Sequence, residues 1–264
     1  MIPVFNLFGK DISIYLIMGL VGVFAMLPFG MRTTKKDGLD ENQMLAMFCY
    51  SFIGIIAGGH LMFGITQFDK IAALLRNFNQ IGSFKQFVAV LTVIFGGSVY
   101  YGGLTGVLII GYLFCKARKL ETGRYFDIGA MSICLFHFFG RIGCFLGGCC
   151  YGIEWKYGFI YHHSPVEACN GVPRFPVQLV EAVLNLLLFF FLFYCFGNRL
   201  FRKKLMGLYC LIYPVYRFVL EYYRADEYRG FLGALSTSQI ISLIYIVVTI
   251  IILLFLDRQN RRKV

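Results

Sequence analysis

Two arginines, Arg141 and Arg217, stand inside strongly apolar stretches of this sequence, and the chemistry open to them there is the binding of an anion. A charged side chain at membrane depth costs about 2.5–3.5 kcal/mol or more unless it meets a counter-charge or a wet cavity. Carboxylates are within reach: Glu221 is one helical turn beyond Arg217, and Glu181 lies in the first turns of another apolar run. A structural ion pair is one reading. The favoured reading is an anion site, because a second arginine at the same depth adds paired donors that suit phosphate. A phospholipid headgroup is the anion available at that depth. Tyr213, one turn before Arg217, is spaced to donate to a phosphate oxygen.

The segment around Arg141 runs Gly140-Arg141-Ile142-Gly143-Cys144-Phe145-Leu146-Gly147-Gly148-Cys149-Cys150-Tyr151-Gly152. Small residues at this density let backbones approach closely or let a loop fold back into the membrane. Small-residue packing is the leading reading for its cysteines; a disulfide from Cys149 or Cys150 to Cys169 is the second. The spacing Cys-x4-Cys-Cys is not a usual zinc pattern, so no metal is assigned. Cys49, Cys115, Cys134, Cys195 and Cys210 read as packing residues. His137 shares a helical face with Arg141, where it either borders the site or makes a structural hydrogen bond. His162-His163 reads as a solvated loop, and Asp127 as an interfacial residue.

The elements that position these residues are membrane helices. Hydrophobic residues make up 58% of the 264, charged residues 15%, and mean hydropathy is +0.69. A water-soluble domain carries about a quarter charged residues, so this chain lacks the surface of one. Apolar runs near helix-spanning length recur at 12–30, 44–66, 87–115, 125–148, 177–196, 205–223 and 237–256. The expectation is an all-α polytopic membrane protein of about seven spans, in one domain over residues 1–264. No alternating segments of a β-barrel appear. The third run carries Gly96-Gly97 and Gly102-Gly103, which predicts a kink or a re-entrant turn. Residues 68–87 read as an interfacial amphipathic helix, and the first run as a retained helix rather than a signal peptide.

The net charge of +11 is a topology signal and does not point to nucleic acid. Fifteen lysines and arginines fall on one set of alternate loops and eight on the other. The bias puts the richer set in the cytoplasm, the N-terminus outside and the C-terminus inside. The two remaining basic residues are Arg141 and Arg217, both past the midpoint of outward-running spans.

Four motifs, in order, resemble those of the bacterial prolipoprotein diacylglyceryl transferase family. Gly140, Arg141, Gly143, Phe145 and Gly152 stand in register with its signature Gly-Arg-x-Gly-Asn-Phe-x-Asn-x-Glu-x-x-Gly. Tyr101-Gly102-Gly103-Leu104-Thr105-Gly106 is similar to its His-Gly-Gly-Leu-x-Gly. Arg174-Phe175-Pro176-Val177-Gln178-Leu179-Val180-Glu181 is similar to its Arg-His-Pro-Ser-Gln-Leu-Tyr-Glu. Tyr213, Arg217, Glu221 and Arg224, followed by Asp226, resemble its Tyr-x-x-x-Arg-x-x-x-Glu stretch. Ser236 and Gln239 fit its Ser-x-x-Gln.

The resemblance implies a transferase of the bacterial plasma membrane that moves diacylglyceryl from phosphatidylglycerol to the lipobox cysteine of a preprolipoprotein, with no cofactor. The active site would face the outer leaflet. It implies catalytic roles for Arg141, Arg217, Tyr101 and Glu221, and substrate binding by Gly102, Gly103, Gly140, Gly143, Tyr213, Gln178 and Glu181. Tyr101 and Phe175 replace two family histidines, Cys144 and Gly147 two asparagines, and Cys149 a glutamate. A thiolate at Cys149 is therefore a further reading, with Cys144 and His137 beside it. A phenol with a pKa near 10 is a weaker base at neutral pH than imidazole, so anion binding carries over more fully than proton transfer. Two alternatives stand: a related transferase with a non-protein acceptor, and a lipid-binding or transport protein without catalysis.

Overall fold

A computed structural model describes residues 4–7, 9–225 and 230–261. Asp226, Arg229, Arg262 and Lys263 lie outside the described residues. The chain is an all-α polytopic membrane protein, and its helices follow the apolar runs: α1 (Ile14–Lys36), α2 (Glu41–Thr66), α3 (Phe68–Arg76), α4 (Phe84–Phe95), α5 (Tyr100–Ala117), α6 (Thr122–Gly147), α7 (Val177–Gly197), α8 (Leu205–Leu220) and α9 (Thr237–Arg261). Among the described residues six are long and apolar enough to cross a membrane: α1, α2, α5, α6, α7 and α9. The run expected at 205–223 is α8, only 16 residues long, followed by a 3-10 turn at Glu221–Tyr223. Among the described residues three short antiparallel β pairs lie outside the helices.

The chain divides into two compact units, residues 42–122 and residues 1–41 with 123–264. In the first, the run expected at 87–115 is broken into α4 and α5. Gly96-Gly97-Ser98 ends α4, and the break is held by partners for its freed backbone groups. The Val99 N–H donates to the Gly59 carbonyl at 3.2 Å, and His60 Nδ1 lies 2.8 Å from the Phe95 carbonyl oxygen. Such partners are what a non-helical backbone needs at membrane depth. α2 and α5 meet through two Gly-x-x-x-Gly pairs, Gly54/Gly58 and Gly102/Gly106. A Cβ added to Gly102 or Gly106 would overlap the carbonyl oxygen of Gly58 or Gly54.

In the second unit α8 packs against both α7 and α9. α1 lies against α6, where a Cβ on Gly143 would come within 2.9 Å of Met18 Cβ. Asp127, near the start of α6, is buried, and its carboxylate accepts the backbone N–H groups of Lys203 at 2.5 Å and Leu205 at 2.8 Å. It thus caps the start of α8, where unsatisfied N–H groups favour an anion.

Candidate active site

α6 and α8 run in the same direction and α7 runs against them, so the ends of α6 and α8 meet the start of α7. Arg141 is six residues from the end of α6, Arg217 three from the end of α8, and Glu181 four from the start of α7. This placement gathers them at one depth. It also sets cations at helix C-termini and an anion at a helix N-terminus, the signs that the helix dipoles favour.

Glu181 is the hub and is 1% exposed. Its Oε2 pairs with Arg141 Nη2 and lies 3.9 Å from Arg217 Nη1. Its Oε1 accepts the Tyr213 hydroxyl at 3.4 Å and lies 3.7 Å from His137 Nε2. Asn185, one turn on, donates to the Glu181 carbonyl at 2.8 Å and accepts the Tyr216 hydroxyl at 3.0 Å. Tyr213 is stacked on Tyr209 at 5.6 Å, which fixes its ring. Glu221 forms the second node. Its Oε2 stands 2.8 Å from Arg217 Nη2 and 3.6 Å from Arg224 Nη1.

Among the described residues the guanidiniums of Arg141, Arg217 and Arg224 thus lie against the carboxylates of Glu181 and Glu221. Arg141 Nε and Arg217 Nη1 are buried without a hydrogen-bond partner among the described residues. Ion pairing therefore accounts for only part of the donor set. Buried guanidinium donors left over from ion pairing match a phosphodiester monoanion in sign and geometry.

The turn after α6 is held against this cluster. Gly148 and Cys150 have positive φ (71° and 55°), so the chain reverses directly beyond Gly147. Gln178 donates through Nε2 to the Cys149 carbonyl at 2.6 Å and to the Tyr161 hydroxyl at 3.0 Å. Ser164 donates to the Gly148 carbonyl at 2.7 Å. Gln178, expected to bind substrate, thus also braces the turn. Burial pushes the Tyr161 phenol above its ordinary pKa, against the pull of its bond to Gln178. It raises the Cys169 thiol as well. All nine cysteines are free, so the disulfide from Cys149 or Cys150 to Cys169 is absent; Cys169 packs with Phe145, Tyr151 and Tyr161. The sulfurs of Cys144, Cys149 and Cys150 instead lie within 4.8 Å of one another, and Arg141 Nη1 is 3.9 Å from Cys144 Sγ.

Of the other sequence-derived residues, Gly143 has the packing contact with α1 described above, while Gly140 has open space where a Cβ would be. Tyr101, Gly102 and Gly103 lie in the other unit, in the first turn of α5; Tyr101 is buried there and Gly102 seats against α2. Phe175 packs between Trp155, edge to face at 5.1 Å, and Tyr223, tilted at 5.2 Å, and His162 and His163 are exposed. Sequence reasoning placed Arg224 in a family motif without giving it a role, and passed over Asn185 and Tyr216. Arg224 had a signal, its i+3 spacing from Glu221, whereas Asn185 and Tyr216 had none before α7 and α8 were seen to pack.

A family model described as prolipoprotein diacylglyceryl transferase matches residues 3–255. A phosphatidylglycerol–prolipoprotein diacylglyceryl transferase from Clostridium tetani is 33% identical over 250 residues, 94% of each chain. One from Clostridium perfringens, the second such protein of its organism by name, is 32% identical over 267 residues, 98% of this chain and 96% of its own. A third, from Campylobacter hominis, is 30% identical over 248 residues, 92% of this chain and 86% of its own.

Proposed function

The chain belongs to the prolipoprotein diacylglyceryl transferase family, and from that premise we propose that it transfers diacylglyceryl from phosphatidylglycerol to the lipobox cysteine thiol of preprolipoproteins. The observation that carries this is the buried surplus of guanidinium donors at Arg141 and Arg217 around Glu181. Phosphatidylglycerol enters sideways from the lipid, and its phosphodiester is held by Arg141 and Arg217. The acceptor sulfur attacks the glycerol carbon that carries the phosphoester. The C–S bond forms as the C–O bond breaks, and glycerol phosphate departs with one negative charge more than the diester it came from.

That added charge is what the arginines stabilise. Interactions that strengthen as charge develops accelerate a reaction, whereas those equal in ground and transition states do not. Glu181 and Glu221 hold the guanidiniums in place, so no reorientation is needed during the reaction. The same reading puts the protein in the bacterial plasma membrane with this cluster toward the outer leaflet, in keeping with the bias of basic residues. It retains Tyr101, Gly102 and Gly103 as substrate-handling residues on the family resemblance alone.

Complementation tests the reading. In a bacterium depleted of its own diacylglyceryl transferase, this chain should restore lipoprotein modification and an Arg141→Ala version should not. Failure of a well-expressed wild type, repeated with lipoprotein substrates of its own host, would count against a lipobox acceptor and favour a non-protein one.

A further inference from the structure

The turn beyond α6 brings three thiols together where the sequence spacing gave no reason to expect it. Cys144 Sγ lies on the last turns of α6, and the reversal through Gly148 and Cys150 returns Cys149 and Cys150 to it. Around a tetrahedral or trigonal ion with metal–sulfur bonds of about 2.3 Å, sulfurs stand about 3.8–4.0 Å apart. Three sulfurs within 4.8 Å reach that spacing when each moves inward by about half an ångström.

A disulfide uses the cluster less well. Adjacent Cα atoms are about 3.8 Å apart, short of the roughly 4.4 Å that a relaxed disulfide needs, which disfavours Cys149–Cys150. A bond from Cys144 to either neighbour would leave the third thiol unused. Arg141 Nη1 lies 3.9 Å from Cys144 Sγ, so a cation borders the trio.

We propose that Cys144, Cys149 and Cys150 form a three-thiolate site for a thiophilic d10 divalent cation of the zinc(II) class, whose fourth position takes the acceptor thiol. Cys149 and Cys150 are only half buried, which leaves one side of the trio accessible. The role of the fourth position rests on the transferase reading above. It answers the question left by Tyr101 and Phe175, because a thiol bound to zinc is held as thiolate without a protein base. The acceptor R–SH would bind as R–S⁻ and lose its proton to water. The sulfur pair would then form the C–S bond to glycerol as the phosphate oxygen leaves with the C–O pair, and the metal would keep its charge and its three cysteines throughout.

Cobalt(II) and zinc(II), added separately to the reduced full-length protein in detergent, test the site without any turnover. The expected result is one cobalt per chain with an intense thiolate-to-cobalt absorption band, abolished by zinc. Cys144→Ser, Cys149→Ser and Cys150→Ser should each weaken zinc binding at least tenfold, and Cys49→Ser should leave it unchanged. Should a serine variant fail to fold, X-ray absorption of the zinc-loaded wild type serves in its place, with three sulfur neighbours expected at about 2.3 Å. A folded wild type with no such band, or a disulfide within the trio after reducing isolation, would overturn the site. A lipobox peptide should then shift the cobalt spectrum while its Cys→Ser analogue does not; an unchanged spectrum would overturn the fourth-ligand role. Wild type that binds metal but transfers nothing, loaded or metal-free, would instead contradict the transferase reading. Transfer undiminished by chelation would keep that reading and remove the metal from the reaction.

Discussion

Replacing Arg141 by lysine keeps the charge and removes the fork of donors, so it separates point-charge attraction from paired hydrogen bonding. Arg141 spends Nη2 on Glu181, and Nη1 lies 3.9 Å from Cys144 Sγ. Nε has no hydrogen-bond partner among the described residues, so it and Nη1 are the donors left for a phosphate. An ammonium that keeps its bond to Glu181 offers its remaining protons from a single point and loses at least one of those two bonds. Charge-assisted hydrogen bonds contribute about 1.5–3 kcal/mol each. At about 1.4 kcal/mol per tenfold, Arg141→Lys should lower kcat/KM by roughly 10- to 150-fold while the protein stays folded. Arg141→Ala should do worse and also destabilise, because a buried pair broken on one side costs about 3–5 kcal/mol. The assay is transfer of labelled diacylglyceryl to a lipobox peptide in mixed micelles, per mole of folded enzyme. A lysine variant within threefold of wild type would show that a point charge suffices and that the donor geometry argued here is unused.

Other expectations follow from the same structure. Asp127→Asn removes one of two backbone acceptors at the start of α8 and should cost about 1–2 kcal/mol in thermal stability with little change in activity per folded molecule; an unaltered melting profile would argue against the cap. Gly106→Val should force α2 and α5 apart and destabilise by about 1–3 kcal/mol or more, whereas Gly19→Ala, which meets no atom within 4 Å, should be tolerated; equal stability of the two would refute the close approach. Cys169, its thiol pKa raised by burial, should alkylate at least tenfold more slowly in the folded than in the denatured chain, read by mass spectrometry. The folded state holds that proton more tightly than the unfolded chain does. Its contribution to stability is therefore complete below the unfolded thiol pKa of about 8.5 and declines as pH rises above it. Stability that increased over that range in a Cys169-dependent way would contradict the assignment.

Much of the helix frame was legible because lipid imposes a simple rule, apolar runs of spanning length. Arg141 and Arg217 were legible for the complementary reason: charge at that depth is costly and so carries information. The break at Gly96-Gly97 could be suspected from glycine pairs, but its partners, His60 and Gly59, come from α2 and are invisible in a local window. The capping role of Asp127 was not legible because its partners stand at the start of α8, more than 70 residues away. The central position of Glu181 was hidden likewise, since α6, α7 and α8 must pack before one carboxylate can meet two arginines. The convergence of Cys144, Cys149 and Cys150 depends on positive φ at a non-glycine residue, Cys150, which no composition or spacing rule anticipates.

The most direct test of the account is transfer from phosphatidylglycerol labelled in its acyl chains and separately in its headgroup glycerol phosphate, with a lipobox peptide as acceptor. Wild type should place the acyl label on the peptide thiol and release the headgroup label as glycerol phosphate in equal amounts, and Arg141→Ala and Arg217→Ala should do neither. Label on the peptide at wild-type rates in both folded alanine variants would contradict the claim that these two arginines hold the departing phosphate.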